Sequence, residues 1–379
     1  MPRRNLRHKR RGNILVLSAL MMVGMMAMLA FAIDIGYLCL ARDELQRSAD
    51  AAAIAATWDL IDPSSLTGNA NVTHLAYNAR STAGQFAGLN NVLRESPGLG
   101  SSDVSVGFLS NPSDPSEALD LSGANSPNAV RVCVRRTSQQ NGEVPFFLAR
   151  VLGLDRMATQ AEATAALLTS FRGFQAPSDG SNLELMPFAL DQQTWDGMLA
   201  GTGTDNWKWN SDQQRVQAGA DGILEINLYP QGTGSPGNRG TVDIGSNNNS
   251  TNDIARQIVH GISPSDLEYH GGKLEFDENN ELSLNGDTGI SAGVKDELTS
   301  IIGKPRIIPI FERVARPGNN AQYTIVQFAG IRIMDVKLTG SETTKRVIIQ
   351  PANIVARGGL PGPGANTSYF VYSPVWLIR

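Results

Sequence analysis

The sequence has few of the residues on which disulfide frameworks, metal sites and most hydrolases depend. Only two of its 379 residues are cysteine and four are histidine. Cys39 and Cys133 allow at most one bridge, which excludes a disulfide-rich scaffold. Cys39 follows an apolar helix and Cys133 lies in a predicted strand, so we expect two separate thiols. No GxSxG, Walker or helix-opening GxGxxG motif is present. We therefore predict no enzyme, no catalytic residue and no cofactor.

Metal-ligand spacings are also missing. His260 and His270 stand ten residues apart with Asp266 and Glu268 between them, and no HExxH pattern occurs. A surface helix is the favoured interpretation of this segment, and a metal site is the alternative. A second acidic group can be read as a calcium loop or a solvated turn, and it lacks the glycine of an EF-hand: Asp277, Glu278 and Glu281. We predict no metal site.

Charge is absent from residues 14–33, where only Ser18 and Gly24 depart from Ala, Val, Ile, Leu, Met and Phe. At about 1.5 Å per residue, twenty residues make roughly 30 Å of helix, the hydrocarbon thickness of a bilayer. Residues 1–13 carry six basic residues and no acid. The positive-inside rule then leaves this basic tail in the cytoplasm and places the chain from residue 34 outside it. A cleaved signal is the alternative, but its apolar part is usually about 7–15 residues.

The remainder of the chain is acidic. The whole protein has 32 basic and 36 acidic residues, so removing the six basic residues of the tail leaves 26 against 36, a net charge of −10. Such a surface argues against nucleic acid as a partner. The basic tail is typical of an orientation signal at anionic lipid.

Beyond the span, helix-forming residues continue to about Trp58, and Asp62-Pro63 supplies a stop. At helical spacing, mainly small side chains share one side of this predicted stalk: Asp34, Leu38, Ala41, Leu45, Ala49, Ala52 and Ala56. This narrow stripe favours close packing against another helix or a sheet.

The start of the chain resembles a known family. The residues that carry the resemblance are Arg10-Arg11-Gly12-Asn13, the apolar span, Ala32-Ile33-Asp34-Ile35-Gly36, Leu40-Ala41-Arg42-Asp43-Glu44-Leu45-Gln46 and Ala49-Asp50-Ala51-Ala52-Ala53. In this order they are similar to the N-terminal segment of TadG-like proteins of the Flp (Tad) pilus assembly system. The family-motif and helix-packing residues are then Gly12, Asp34, Leu45, Gln46, Asp50, Ala51 and Ala52.

The resemblance implies a single-pass protein of the bacterial inner membrane whose exported part serves pilus assembly. Its implied partners are the membrane and other pilus-assembly subunits. Related prepilins carry Glu at the fifth position after a processed glycine, whereas the fifth position after Gly12 is Leu17. This departure predicts that the N-terminus is not processed at Gly12.

Residues 34–170 are predicted to form the stalk helix and a small, pilin-like α+β domain. An apolar stripe predicts a second helix over residues 70–92, and alternation predicts strands over 104–108 and 129–134. Pro145 and Gly153 bracket a predicted short helix, residues 146–152. Residues 157–168 are rich in alanine, which favours a helix. Polar residues occupy every other position there, and TadG-like proteins show the same alternation, so we predict a strand.

Residues 171–379 are predicted to form a second, β-rich α+β domain, which gives an α+β fold overall. The predicted strands are 183–190, 306–311, 323–338, 346–354 and 369–378, and the predicted helices are 192–199, 251–260, 264–269 and 291–302. Residues 231–253 are rich in Gly, Asn and Ser and are predicted to be an exposed loop. The long Ile and Val runs near the end predict a sheet buried on one face or on both.

Two function classes follow from these patterns. The first is a membrane-anchored, non-enzymatic component of Flp/Tad pilus assembly that acts through protein–protein contacts outside the cytoplasm. The alternative is a membrane-anchored surface enzyme or glycan-binding protein that shares only the anchor module. For the alternative, Trp195, Trp207 and Trp209 are candidate sugar-stacking residues, although anchoring of a core or loop is favoured.

Asp34 has two interpretations of its own. It is either an ordinary residue at the membrane boundary or a carboxylate on the small-residue face that pairs with a basic group or backbone donor of another subunit.

Overall fold

In this computed structural model, the described parts of the 379-residue chain are residues 13–68, 71–229, 239–316, 320–362 and 368–378. The first element is a single long helix, α1 (Asn13–Trp58). Its uncharged first part is exposed, with side chains such as Ile14 and Met22 extending from the protein. Its second part buries the alanine stripe. The predicted continuation of the span into a stalk that ends at Trp58 is confirmed.

The stalk packs on a small α+β unit. Its elements are α2 (Val72–Leu89), β1 (Val104–Gly107), β2 (Ala129–Arg136), β3 (Val144–Pro145), β4 (Arg156–Met157) and β5 (Thr159–Ala166). Asn71 caps α2 by accepting the amides of Thr73 and His74. β2 pairs antiparallel with β1 and β5, and α1 and α2 bury their small side chains against this sheet. The predicted strand in the alanine-rich segment is confirmed by β5.

The rest of the chain is rich in short strands. Its elements are β6 (Phe171–Gln175), β7 (Phe188–Asp191), α3 (Gln192–Leu199), β8 (Trp207–Asn210), β9 (Arg215–Ala218), β10 (Ile226–Asn227), β11 (Arg239–Val242), α4 (Thr251–His260), α5 (Pro264–Glu268), β12 (Lys273–Glu275), β13 (Leu282–Asp287), α6 (Lys295–Ser300), β14 (Pro305–Ala315), β15 (Ala321–Lys337), β16 (Arg346–Pro351), β17 (Ile354–Val355), β18 (Gly359–Pro361), β19 (Ser368–Tyr369), β20 (Val371–Tyr372) and β21 (Trp376–Leu377).

The largest sheet closes on itself like a barrel. Each strand of the ring β15–β13–β11–β7–β14 pairs with the next, and β14 pairs again with β15. β16 and β10 extend this sheet from the second half of β15. Neighbouring residues of β14 enter different cores: Ile307 belongs to a cluster with Phe174 and Phe328, whereas Ile308 belongs to one with Trp195 and Ile349. The sheet is thus buried on both faces there, which is the second of the two arrangements that the Ile and Val runs allowed.

The end of the chain returns to the first sheet. β21 pairs antiparallel with β5, with Trp376 opposite Ala166 and Leu377 opposite Ala165. The small sheet therefore has the order β1–β2–β5–β21. Its last strand comes from the part of the chain that we assigned to the second domain. The α+β fold class, with a long apolar N-terminal helix and a β-rich remainder, is confirmed.

Two predictions for the second part of the chain, a loop and a strand, are wrong. Of the predicted loop 231–253, residues 231–238 lie outside the described residues, but β11 lies in the barrel with Thr241 and Val242 buried. Glycine serves this strand because a Cβ on Gly240 would lie 2.1 Å from the Tyr323 hydroxyl. The predicted strand 369–378 is broken into β19, β20 and β21, which join three different sheets.

Three local boundaries also differ from the predictions. Ser250, rather than Thr251 or Asn252, caps α4 through a capping box with Asp253. Pro145 lies in β3 instead of opening a helix, and the helical turn after it is a 3₁₀ helix, Ala149–Leu152. Gly153 ends that turn with φ +84°, in the left-handed conformation that favours glycine.

Candidate packing and membrane-proximal site

Asp34 lies where the apolar part of α1 meets the loop between β3 and β4. Its carboxylate accepts three backbone amides of that loop: Phe147 N to Oδ1 at 2.7 Å, Leu148 N to Oδ2 at 3.1 Å, and Ala149 N to Oδ2 at 2.6 Å. These are the free amides at the start of the 3₁₀ helix, which otherwise have no partner in the turn. Asp34 therefore fastens residues 146–155, which we call the 146–155 loop, to the stalk.

The electrostatics of Asp34 favour the ionised form. Asp34 is 3% exposed, because the 146–155 loop covers it. Burial acts to raise its pKa, but the three amides and the nearby Arg150 guanidinium lower it, and the net pKa lies below the ordinary 3.8. A carboxylate at neutral pH thus meets three donors and the positive end of a helical turn.

The donors of Asp34 come from its own chain. Neither sequence-based interpretation included these donors, and a role of Asp34 toward another subunit stays a prediction. The short helix predicted over residues 146–152 indicates free amides at its start, after Pro145, and these are the amides that an acceptor such as Asp34 can bind. That prediction contains no indication that the turn lies beside α1, which requires the whole small sheet to be in place.

Five apolar side chains of the β3–β4 hairpin are exposed. Their exposed fractions are 55% for Phe147, 40% for Leu148, 88% for Val151, 57% for Leu154 and 47% for Met157. The Phe147 and Tyr37 rings meet edge to face with centroids 5.0 Å apart. The apolar surface of the hairpin thus begins beside the stalk and continues toward the exposed part of α1.

The other family-motif residues lie farther along α1, at the small sheet. Leu45 and Ala52 are fully buried in the cluster formed by α1, α2 and the sheet, and Ala51 is half-buried. Gln46 donates through Nε2 to Asp50 Oδ1 at 2.8 Å and to the Glu162 carbonyl of β5 at 3.1 Å. Gly12 lies outside the described residues. The structure therefore brings five of these residues together and separates Asp34 from them; their role toward a partner stays a prediction.

One packing residue of the stalk was missed by the sequence analysis. Glu44 accepts the Leu93 amide through Oε2 at 2.6 Å, in a turn where Leu93 and Arg94 have φ of 52° and 69°. Backbone in this region is strained for non-glycine residues, and the charge-assisted bond holds it. An exposed-looking glutamate in a helix gives no sequence signal for such a contact.

In the histidine segment, Asp266 is bound to an arginine of α4. Arg256 binds Asp266 with both guanidinium nitrogens, Nη1 at 3.0 Å and Nη2 at 2.6 Å. Burial lowers the pKa of His270, while its hydrogen bond to the Asp243 backbone acts to raise it. Within the described residues, no group of three or more His, Cys, Asp or Glu is placed to hold a metal ion.

The second acidic group forms a turn. Asp277 Oδ1 accepts the amides of Asn279 at 2.8 Å and Glu281 at 3.0 Å, and Glu281 pairs with Arg313. This is the solvated turn of the sequence analysis.

Cys39 and Cys133 are separate thiols, the first exposed and the second buried.

The three tryptophans do not form one surface. Trp195 is fully buried. Trp207 and Trp209 are half-buried on the β8–β9 hairpin, and the Arg332 guanidinium lies 4.5 Å from the centre of the Trp209 ring. Trp209 thus covers β15, and Trp195 anchors a core.

Two family models match the chain where this geometry lies. Residues 12–59 match the model described as putative Flp pilus-assembly TadE/G-like, and residues 46–165 match the one described as putative Tad-like Flp pilus-assembly. This part of the chain is Tad-like. The resemblance predicted from the sequence is confirmed for α1, and the second match extends it over α2 and the small sheet through most of β5. Neither the comparison with curated proteins nor the one with solved structures found a match.

The Tad-like matches support a role in pilus assembly and hence contacts with other pilus-assembly components. Of the described helices, α1 is the one that is long and apolar enough to cross a membrane. No residue of its most apolar stretch is buried in the protein, which is compatible with a single-pass anchor.

Proposed function

We propose that the protein is a membrane-anchored, non-enzymatic component of Flp pilus assembly that acts through protein–protein contacts outside the cytoplasm. The observation that carries the proposal is the pair of overlapping Tad-like matches over α1 and the small sheet on which it packs. An apolar helix that leaves a packed domain serves both as a membrane anchor and as a helix for contact with neighbouring subunits. The second, barrel-containing part is then carried outside the cytoplasm.

The stalk offers an open surface for such contacts. Between the apolar span and the small sheet, Ile35 is 42% and Leu40 46% exposed on α1, and Arg42 and Asp43 are exposed beside them. Apolar positions flanked by charges are suited to a polar-rimmed contact with another subunit. The Asp34 face is covered by the 146–155 loop, so a neighbouring subunit meets the opposite face of the stalk.

Deletion and complementation in the source bacterium test the assembly role. We expect deletion of the gene to remove or strongly reduce surface pili, and the intact chain to restore them. A complementing Leu40→Glu chain, present at the same membrane level, should restore fewer pili than the control Ser116→Glu, which changes an exposed loop. Normal pilus numbers in the deletion strain would contradict the assembly role. Loss of adhesion with normal pili would favour a glycan-binding protein instead.

Extraction of membranes tests the anchor separately. A retained α1 should keep the protein in the membrane pellet after alkaline carbonate treatment, whereas a cleaved signal would release it. The two alternatives differ also in mass by the whole apolar segment.

A further inference from the structure

The exposed apolar side chains of the β3–β4 hairpin lie beside the exposed apolar part of α1. Leu148 and Val151 line one cavity together with Val23, Met26 and Ala30. At about 1.5 Å per residue, Met26 lies roughly 10 Å inside the span boundary at Ile33. The tip of the hairpin therefore descends along α1 past Asp34, to the level of residues that the anchor proposal places within the bilayer.

We infer that the 146–155 loop inserts its apolar tip into the outer leaflet of the membrane that α1 spans. The inference rests on the proposed membrane anchoring of α1 and concerns a second point of attachment. We assign lipid, rather than protein, as the contact of the loop. The apolar surface of the loop is continuous with that of the span, whose residues are also exposed.

Many backbone amides of the 146–155 loop donate within the protein, which suits contact with hydrocarbon. Lipid offers no hydrogen-bond partner, so amides near it must donate within the protein. Asp34 accepts those of Phe147, Leu148 and Ala149. The other bonds of the tip close it internally: Phe146 N to Asp155 O, Val151 N to Leu148 O, Gly153 N to Arg150 O, and Leu154 N to Ala149 O.

Two arginines flank the apolar tip in the sequence, and an aromatic pair lies beside it. Arg150 and Arg156 are exposed, and Asp155 is the one acid between residues 144 and 157. Long arginine side chains reach phospholipid headgroups while their stems remain in apolar surroundings. The Tyr37–Phe147 pair lies at the same end of the span, where aromatic residues are favoured at membrane interfaces.

Depth-dependent quenching in lipid vesicles tests the inference. Single cysteines at Val151 or Arg156, in a Cys39→Ser, Cys133→Ala background, carry an environment-sensitive fluorophore on the full chain. The chain is reconstituted in vesicles of phosphatidylethanolamine and phosphatidylglycerol that contain acyl-chain nitroxides. Met22→Cys in the span and Ser116→Cys in an exposed loop are the two reference positions. We expect Val151→Cys to be quenched by the nitroxide as Met22→Cys is, and Arg156→Cys to be quenched at a shallower depth.

The reference positions separate the possible failures. Quenching of Val151→Cys by aqueous iodide, with Met22→Cys protected, would overturn the inference and leave the anchor standing. Iodide quenching of both would overturn the anchor as well. Protection of Val151→Cys in native membranes but not in vesicles would assign the loop to a protein partner and overturn the lipid assignment.

The same readout applied to a charge variant guards against an effect of the probe. Val151→Asp should release Leu154→Cys to aqueous iodide, whereas Ser116→Asp should not. Unchanged protection of Leu154→Cys in the Val151→Asp chain would overturn insertion of the tip.

Discussion

A single carboxylate, that of Asp34, holds the 146–155 loop against the stalk. Asp34 gathers three amides that a helical turn leaves free, and in doing so holds an apolar hairpin against α1. Carboxylate–amide bonds are stronger than neutral ones because the acceptor is charged. The residue therefore acts first on the position of the 146–155 loop, and any effect on a partner subunit follows from that position.

We predict that Asp34→Asn loosens the loop. An asparagine keeps the shape but provides one carbonyl oxygen without charge, so it cannot accept all three amides equally well. Hydrogen exchange of the amides of Phe147, Leu148 and Ala149 should become faster, while exchange in the small sheet stays as it is. Asp43→Asn changes an exposed carboxylate on the same helix and should leave the loop unaffected.

The pH dependence of that exchange has a definite sign. Because the pKa of Asp34 is lowered in the folded protein, its contribution is present above the ordinary 3.8 and is lost as pH falls through the lower, folded value. After correction for intrinsic exchange rates, protection should hold at about pH 5 and decline below the ordinary pKa of aspartate. The Asp34→Asn chain should lack this transition. Equal protection in the two variants at neutral pH would contradict the role given to Asp34.

At the scale of elements, α1 is one helix with two surroundings. Its first part exposes apolar side chains, and its second part buries alanines against α2 and the small sheet. Small side chains allow the close approach of helix and sheet, and a close-packed contact has little room for a larger one. The pattern of small residues, rather than hydrophobicity alone, therefore fixes where the stalk packs.

We predict that Ala52→Leu destabilises the small domain and Ala51→Leu does so much less. Ala52 is 0% exposed, so added methylene groups must displace neighbours at a cost of about 1–3 kcal/mol. Ala51 is half-buried and can direct a longer side chain outward. Chemical denaturation of the two variants in detergent gives the two free energies of unfolding. Similar losses would mean that α1 is not packed as described.

A second pair of substitutions examines the barrel. Gly240→Ala would place a Cβ 2.1 Å from the Tyr323 hydroxyl and 2.3 Å from the Asp287 carbonyl, so we expect a loss of about 1–3 kcal/mol in the free energy of unfolding. Gly84→Ala lies inside α2 with no atom within 4 Å outside its own helix, and should add about 0.5–1 kcal/mol. Thermal unfolding followed by circular dichroism checks both signs. A neutral Gly240→Ala would show that β11 does not pass beside Tyr323.

The elements differ in how far the sequence predicts them. Helices such as α3 and α5 carry local caps, and the predicted ranges agree with the structure because those signals act within a few residues. The glycine-rich β11 carries no such signal, since its burial depends on distant strands that close the ring. The contact of Asp34 with the 146–155 loop likewise joins residues more than 110 positions apart and has no local pattern.

At the scale of the whole molecule, the two parts of the chain contribute strands to one sheet. β21 completes the small sheet on β5, Ile378 N donates to Thr164 O at 2.8 Å, and Trp376 packs against the core of the second part. Sequence order favoured a clean division near residue 171, because it gives no indication that the last strand crosses back. The stability of the small α+β unit should therefore depend on the end of the chain.

We predict that a chain ending at Pro374 loses protection in β5. Without β21, one edge of β5 opens to water, and unpaired sheet edges also favour association between chains. Hydrogen exchange should rise at the Ala166 amide, which faces β21, more than at the Ala165 amide, which faces β2, or at Ile308 in β14, which keeps its neighbours β7 and β15. Unchanged exchange at Ala166 would contradict the pairing of β21 with β5.

The last prediction concerns the orientation and the N-terminus of the whole chain. Six basic residues before the span predict that the tail stays in the cytoplasm, and the position where prepilins carry glutamate is Leu17. A reporter fused after Arg379 should be active only when it is an enzyme that matures outside the cytoplasm, and inactive as one that folds inside. Mass spectrometry of the protein from membranes should find the basic tail intact. Replacing the six basic residues with serine should lower the outside reporter signal, because the nearest basic residues, Arg42 and Arg47, then lie only on the far side of the span. A mature protein that begins at Asn13 would contradict the unprocessed N-terminus, and an active inside reporter on the unaltered chain would contradict the orientation.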